Sequence, residues 1–298
     1  MHRLRKTLLP LLAAFIWGTA FVAQRVGAGL LPPLTFNAFR SALAAAALGL
    51  LVLIVSRARK EPFFPRDPIK RKALFLGGLC CGTALATATY LQQAGIETTT
   101  PGKAGFITAL YIVLVPIFGL FLKKRAGVTV WIAVMIAAIG LYFLCVKGSF
   151  TLEKGDMLII FCAVVFAVQI LCVDYFSLRT EGLRLSFMQF AVMTVLSAAG
   201  ALLFERADVA LIPRCWLPLL YTGLISGGVG YTLQIFSQKG ANPTVVSLLM
   251  SMESVFSVLA SALILKERLT GRELLGCALM LTAVILTQIP VDKRKKTV

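Results

Sequence analysis

The sequence predicts an all-α integral membrane protein of ten transmembrane helices, arranged as two inverted five-helix repeats. Three observations carry that prediction. Hydrophobic residues make up 58% of the 298 positions and charged residues only 14%, where soluble domains carry about 25% charge. The apolar residues collect in runs of roughly the 20 residues that a bilayer requires. Polar landmarks inside those runs recur in the second half of the chain at a nearly constant offset.

The runs lie between charge or Pro/Gly breaks, with boundaries good to a few residues. The first, 7–26, follows Arg3, Arg5 and Lys6 and is too long for the apolar core of a secretory signal. The second, 34–55, starts after Pro32-Pro33 and stops before Arg57; the third, 73–94, lies between Lys72 and Glu97. The fourth, 103–122, ends at Lys123-Lys124-Arg125, and the fifth, 127–146, ends at Lys147. In the second half the runs are 156–176, 185–204, 214–236, 243–265 and 272–290, the last closed by Lys293 to Lys296. No room is left for a soluble catalytic domain.

A net charge of +17 would suit a nucleic-acid partner, but its placement argues otherwise. The basic clusters adjoin apolar runs, and no folded soluble platform carries them. With the N-terminus inside, inner segments hold twenty Lys and Arg, outer segments hold nine, and Arg40 lies within a span. The positive-inside rule therefore puts both termini in the cytoplasm of a multi-pass plasma-membrane protein. The expected partners are the lipid bilayer and a small-molecule substrate, with the proton as a coupling ion left open. No nucleic acid and no cofactor are expected, and the chain is expected to be a monomer.

Seven cysteines fall within apolar runs or at their ends and read as small buried hydrophobes. The single histidine, His2, stands on a terminal arm, so neither a zinc site nor a His-based relay can be built. No G-x-x-x-x-G-K-[ST] motif supports ATP-driven pumping.

Internal repetition divides the chain into 1–150 and 151–298. Tyr90, Gln93 and Glu97 recur as Tyr231, Gln234 and Gln238 at an offset of 141, each trio on one helix face. Lys123-Lys124-Arg125 matches Lys266-Glu267-Arg268 at an offset of 143, and LTFNAF from Leu34 echoes LSFMQF from Leu185. Five is odd, so two five-span copies enter the membrane from opposite sides. That inversion suits alternating access around a site near the midplane.

The candidate substrate-binding residues are Trp17, Asn37, Arg40, Tyr90, Gln93, Tyr111, Tyr231, Gln234 and Glu253. Glu253 stands near the middle of a span, where a charge is costly unless paired or hydrated; substrate or proton contact and a helix-locking hydrogen bond are both open. Arg40 could neutralise it, bind an anionic group, or lock helices. The tyrosines and glutamines could line a cavity or pack between helices, and Trp17 could close a cavity or fill the bundle. Asp174, near the end of the sixth run, is expected to be exposed at the interface. Ser247, Ser251, Ser254, Ser257 and Ser261 form a small-residue stripe that lets helices approach.

At these residues the chain resembles the EamA-like branch of the drug/metabolite transporter superfamily. The resemblance is carried by Trp17-Gly18, by Phe39-Arg40, and by SLLMSMESVFSVLASALILKERLTGRELLGCALMLTAVIL from Ser247 to Leu286. Glu253 stands where that family often has Glu-Pro, Glu267-Arg268 at its Gly-Glu-Arg turn, and Gly276 at its final-span glycine. Ser254 replaces the proline and Lys266 the glycine, and Lys124 departs from Glu267 of the second half. The resemblance covers essentially the whole chain and implies a five-plus-five bundle with a central cavity, cytoplasmic termini, and movement of small metabolites without ATP hydrolysis.

The leading functional expectation is a non-enzymatic secondary transporter for small organic solutes, amino acids or related metabolites or drugs, working by alternating access. A membrane enzyme acting on lipid-linked substrates would need acids, bases or metal ligands clustered at one membrane face, and few such residues lie within the runs. A non-transporting receptor or scaffold stays open.

Overall fold

A computed structural model describes residues 2–99, 101–124, 126–145, 153–265 and 270–288. Arg125, Lys147, the Lys266-Glu267-Arg268 turn and Lys293 to Lys296 lie outside the described residues, as does the side chain of Ser261. The described residues form helices and turns, with no strand among them. In chain order the helices are α1 (His2–Ala28), α2 (Pro33–Ala58), α3 (Pro68–Gly95), α4 (Pro101–Ala109), α5 (Tyr111–Phe121), α6 (Val128–Cys145), α7 (Lys154–Ser177) and α8 (Gly182–Phe204). Then follow α9 (Trp216–Leu220), a π-helical stretch (Tyr221–Gly230), α10 (Tyr231–Gln238), α11 (Pro243–Met250), α12 (Glu253–Leu265) and α13 (Gly271–Gln288).

Among the described residues, eight segments are long and apolar enough to cross a membrane, counting α4 with α5 and α11 with α12 as one segment each. Two of the ten runs differ from that pattern. The fifth is realised as α6, whose apolar stretch Val128–Leu144 is shorter than the others. The eighth is a continuous helix from Trp216 to Gln238 whose middle widens to π pitch across Gly223, Gly227, Gly228 and Gly230. Four glycines in ten residues leave few side chains to stiffen the turn, and π segments tend to mark functional positions.

Local chemistry fixes where the helices begin. Asp67 and Asn242 accept the backbone N–H groups of Ile69 and Thr244, and each is followed by a proline at the first helical position. Glu153 and Asp156 form a reciprocal capping box at α7. The N-terminus of α2 is capped from a distance, because Glu205 at the end of α8 accepts from the backbone of Leu34 (2.8 Å) and Thr35 (2.7 Å). The Glu205 cap alone ties the ends of two neighbouring helices, α8 and α2, together.

The fourth and ninth runs form the centre of the bundle. Buried residues account for 83% of the Pro243–Ala260 window and 61% of the Lys103–Phe121 window, against 28% for α2, α8 and α13. Both central segments are broken midway, at Leu110 and at Ser251-Met252. The tightest pairings are α6 with α13, α2 with α8, and α3 with both α7 and α8. Helix α1 packs on α12 and on the π stretch, which also packs on α2, and α7 packs on α4 and α5.

Small residues permit these contacts. At Gly18 of α1 a Cβ would stand 2.6 Å from the carbonyl oxygen of Glu253, and at Gly276 of α13 it would stand 2.6 Å from the backbone nitrogen of Leu144. Ser247, Ser251, Ser254 and Ser257 are all buried, which matches the small-residue stripe expected of the ninth run. Of the cysteines, Cys81, Cys162 and Cys215 are buried and Cys80 is exposed.

Candidate functional site

The two helix breaks meet at the centre of the bundle. Tyr111 is the first residue after the break between α4 and α5, and Glu253 the first after the break between α11 and α12. The Tyr111 hydroxyl donates to the Glu253 carboxylate at 3.1 Å, and both residues are buried. Beside them, the Ser254 hydroxyl donates to the carbonyl of Gly105 at 3.0 Å. The backbone stays hydrogen-bonded through both breaks, by tighter turn bonds such as Leu110 N–H to the Ile107 carbonyl (3.2 Å) and Met252 N–H to the Leu249 carbonyl (3.3 Å), so each break is a local tightening of the helix beside the site.

A cavity of about 30 Å³ opens at this point, room for about two water molecules. Trp17, Arg40, Tyr111, Tyr231, Gln234 and Glu253 all line it, so six of the nine predicted residues converge from α1, α2, α5, α10 and α12. The π stretch helps to shape one wall. The Trp17 indole N–H donates to the carbonyl of Ser226 at 3.3 Å, and its ring stands 4.8 Å from that of Tyr231. Phe190 meets Tyr231 edge-on at 5.6 Å. Gly230 lies against the indole, where a Cβ would come within 2.6 Å of its nitrogen.

Arg40 and Glu253 line the same cavity and do not pair. Arg40 is 6% exposed, makes no ion pair among the described residues, and has its guanidinium 5.8 Å from the Phe36 ring. A buried guanidinium and a buried carboxylate held apart in one cavity are costly unless something bridges them or water reaches them.

The other three predicted residues stand elsewhere. Tyr90 is 39% exposed and lies off the cavity on the outer side of α3. Gln93 is buried between α3 and α1, where its amide donates to the carbonyl of Gln24 at 3.0 Å. Asn37 is fully buried in α2, and neither of its side-chain amide atoms is hydrogen-bonded among the described residues. Helix rotation is the reason: α3 turns Gln92, one position from Gln93, to the cavity, and Gln92 donates to Thr108 at 3.2 Å.

The cavity also contains residues that the sequence reading missed, among them Phe21, Gln24, Phe166 and Gln169. A repeat signal for them exists. Phe21-Val-Ala-Gln24 in α1 and Phe166-Ala-Val-Gln169 in α7 share Phe-x-x-Gln at an offset of 145. Gln169 accepts from Gln234 at 3.0 Å and donates to Gln189 at 3.4 Å, so a chain of amides runs from the cavity into α8.

Charged residues organise the two ends. Asp174, expected at an exposed interface, is instead 3% exposed and ion-paired with Lys124, which follows α5. At the other end Lys103 pairs with Asp156 at 2.5 Å. On that same face a vestibule of about 710 Å³ is lined by Arg25, Gly29, Leu30, Glu97 and Glu205, among others. Burial, and then the neighbouring Glu205, raise the Glu97 carboxyl above its ordinary value, while Arg25 opposes the shift.

Comparison with known proteins places this architecture. The chain aligns with a solved structure of 20% sequence identity at a TM-score of 0.77, over 95% of this chain and 96% of the other, which establishes the shared fold. An uncharacterized transporter of Archaeoglobus fulgidus is 29% identical over 94% of this chain and 84% of its own length. The uncharacterized transporter YoaV of Bacillus subtilis is 22% identical over 94% and 95% respectively. The model of the EamA-like transporter family matches twice, at residues 5–146 and 153–289. With that match running almost end to end over a bundle of membrane-length helices, the chain belongs to the EamA-like transporter family and is a multi-pass membrane protein.

Proposed function

We propose that the chain is a secondary transporter that carries a small zwitterionic organic solute of the amino-acid type by alternating access. One observation carries the reading: the cavity presents a buried guanidinium and a buried carboxylate that do not neutralise each other. The cavity of about 30 Å³ is the contracted form of the site; in this reading alternating access widens it, and Arg40 then receives the solute's carboxylate while Glu253, positioned by Tyr111, receives its ammonium group. Trp17, Phe21, Phe166 and Tyr231 supply aromatic walls, and the glutamines orient polar groups.

In this reading the bundle comprises ten spans in two inverted five-span repeats, divided near residue 150, with both termini in the cytoplasm. The helix pairings support it, because they survive exchange of the two halves. The α3–α7 contact corresponds to that of the Trp216–Gln238 segment with α1, and α4/α5 on α7 to α11/α12 on α1. Pairs α2–α8 and α6–α13 map onto themselves. Pro101 and Pro243, and Tyr111 and Glu253, share one offset of 142, so the central hydrogen bond joins equivalent positions. The twofold match to the family model at 5–146 and 153–289 adds support.

The test is radiolabelled counterflow in proteoliposomes with amino acids, simple amines and simple carboxylates, with and without a proton gradient. Zwitterions are expected to exchange. Arg40→Gln should abolish exchange of carboxylate-bearing solutes, and Glu253→Gln should weaken that of solutes bearing an ammonium group. Gradient-driven accumulation that Glu253→Gln removes while sparing exchange would assign the coupling proton to Glu253. Binding without flux for every compound bound would refute the carrier.

A further inference from the structure

We propose that the eighth run is a two-register slider: its glycine-rich π stretch holds one surplus residue, and passing that residue to the loop at 239–242 withdraws Tyr231 and Gln234 from the cavity. That a solute uses this motion rests on the carrier reading above. Comparison with α3 locates the surplus. Before the π stretch the two segments match at an offset of 141. Leu74, Gly77, Gly78, Cys81 and Gly82 of α3 are buried, and so are Cys215, Pro218, Leu219, Thr222 and Gly223. A Cβ at Gly82 would stand 2.6 Å from Val192 Cβ and 2.7 Å from the Gln189 carbonyl oxygen; at Gly223 it would stand 2.9 Å from Leu43 Cβ and 2.8 Å from the Arg40 carbonyl oxygen. Both neighbours thus shift by the same 149 positions. Beyond the π stretch the match moves to 142. Gln92, Gln93, Gly95 and Ile96 are buried, as are Gln234, Ile235, Ser237 and Gln238, and the exposed Thr87 corresponds to the exposed Val229. One residue has been taken up between Gly223 and Val229, where i→i+5 bonds enclose one more residue per turn than the i→i+4 bonds of an α-helix.

The residue pattern also fits the other register. Tyr231, Gln234 and Gln238 repeat Tyr90, Gln93 and Glu97 at 141, the offset of the segment before the π stretch. Tyr90 and Pro101 stand 11 positions apart, whereas Tyr231 and Pro243 stand 12 apart. The surplus residue therefore has a second place to go, the loop at 239–242, which already turns through Gly240 at a φ of 68°. With α pitch throughout, residues 231–238 would rotate by about 100° and copy α3. Tyr231 would take the outward place of Tyr90, and Gln234 the place of Gln93, off the cavity. Gly230 would stand where the Tyr231 ring now lines the cavity of about 30 Å³, which gains the room of that ring and loses an amide. Withdrawal lets a solute in, and return brings the ring and the amide against it. Little packing holds the π turn at its middle: a Cβ at Gly228 would meet only the Gly223 carbonyl oxygen, at 3.8 Å.

Disulfide trapping tests this in the full chain, with its native cysteines replaced, in lipid nanodiscs. The Ser186 and Thr232 hydroxyls meet at 2.7 Å, so Ser186→Cys/Thr232→Cys reports the register described above. After rotation Tyr231 takes the place of Thr232, so Ser186→Cys/Tyr231→Cys reports the other. Ser186→Cys/Leu233→Cys, one position to the far side of Thr232, sets the background. The 231 pair is expected to form at about one-tenth to one-hundredth of the rate of the 232 pair; a 231 pair no faster than the 233 pair would overturn the slider. Deletions then fix the register. Removing Gly228 discards the surplus from the π stretch and should leave only the 232 pair, whereas removing Lys239 discards it from the loop and should make the 231 pair dominant. A folded Lys239 deletion that still traps mainly the 232 pair would overturn the slider too, and if either deletion fails to fold, the rates in the undeleted chain decide. Counterflow in proteoliposomes separates the two readings. Both deletions should lose exchange; flux with no 231 pair refutes the slider alone, and a 231 pair without flux for any solute refutes the carrier alone.

Discussion

Gly18→Ala tests whether the close approach of α1 to the ninth run positions Glu253. The added methyl would lie 2.6 Å from the Glu253 carbonyl oxygen, 2.7 Å from Phe256 Cβ and 2.8 Å from the Ser257 nitrogen. None of these atoms is the end of a flexible side chain. Restoring ordinary contact requires α1 and α12 to part by about 0.8 Å, and overpacking of this kind costs about 1–3 kcal/mol. Alanine also gains about 1 kcal/mol of helix propensity over glycine, so the single variant understates the clash. Gly105→Ala supplies the matched control. It adds the same methyl to a helix beside the same break, where its nearest neighbour is Phe21 at 3.7 Å. Propensity then cancels between the two variants, leaving a difference of about 1–3 kcal/mol. At roughly 2–4 °C per kcal/mol, Gly18→Ala should melt about 2–12 °C below Gly105→Ala when unfolding is followed by circular dichroism in one detergent. A Gly18→Ala protein that melts with or above Gly105→Ala would refute the packing argument.

Tyr111→Phe removes the 3.1 Å hydrogen bond to Glu253 and should cost about 1–3 kcal/mol; in a thermal double-mutant cycle with Glu253→Leu, a coupling near zero would show that the bond does not hold the breaks together. Gln169→Leu cuts the amide chain between Gln234 and Gln189, leaving a buried donor and a buried acceptor unpaired, and should destabilise by at least about 1 kcal/mol, read from the melting temperature. Glu97 has a native pKa above its ordinary 4.5, so its ionisation opposes folding above that range and the penalty disappears as pH falls. Glu97→Gln should therefore melt higher than wild type at pH 7 to 8, with the gap closing as pH falls toward 4.5; a gap that widens on acidification would reverse the assigned sign.

Much of this protein follows from the order of its residues alone. Low charge and bilayer-length apolar runs specify membrane helices whatever their packing, because a bilayer leaves backbone polar groups no partner outside a helix. The polar landmarks Arg40 and Glu253 stood out for a related reason, since charge within an apolar run carries a cost that sequence reveals. Tertiary structure alone decided which face of each helix looked inward. Tyr90 and Tyr231 stand 141 positions apart in the sequence pattern, yet one faces outward at 39% exposure and the other lines the cavity; Gln92 and Gln234, 142 apart, both line it, a one-residue shift of register that periodicity does not fix in segments apolar on every side. Asp174 illustrates the same limit. Its depth suggested an exposed interface, and only the fold brought Lys124, fifty residues earlier in the chain, across to bury it. Composition sets which solvent a segment prefers, whereas the partners of its polar groups depend on contacts between distant helices that no local pattern encodes.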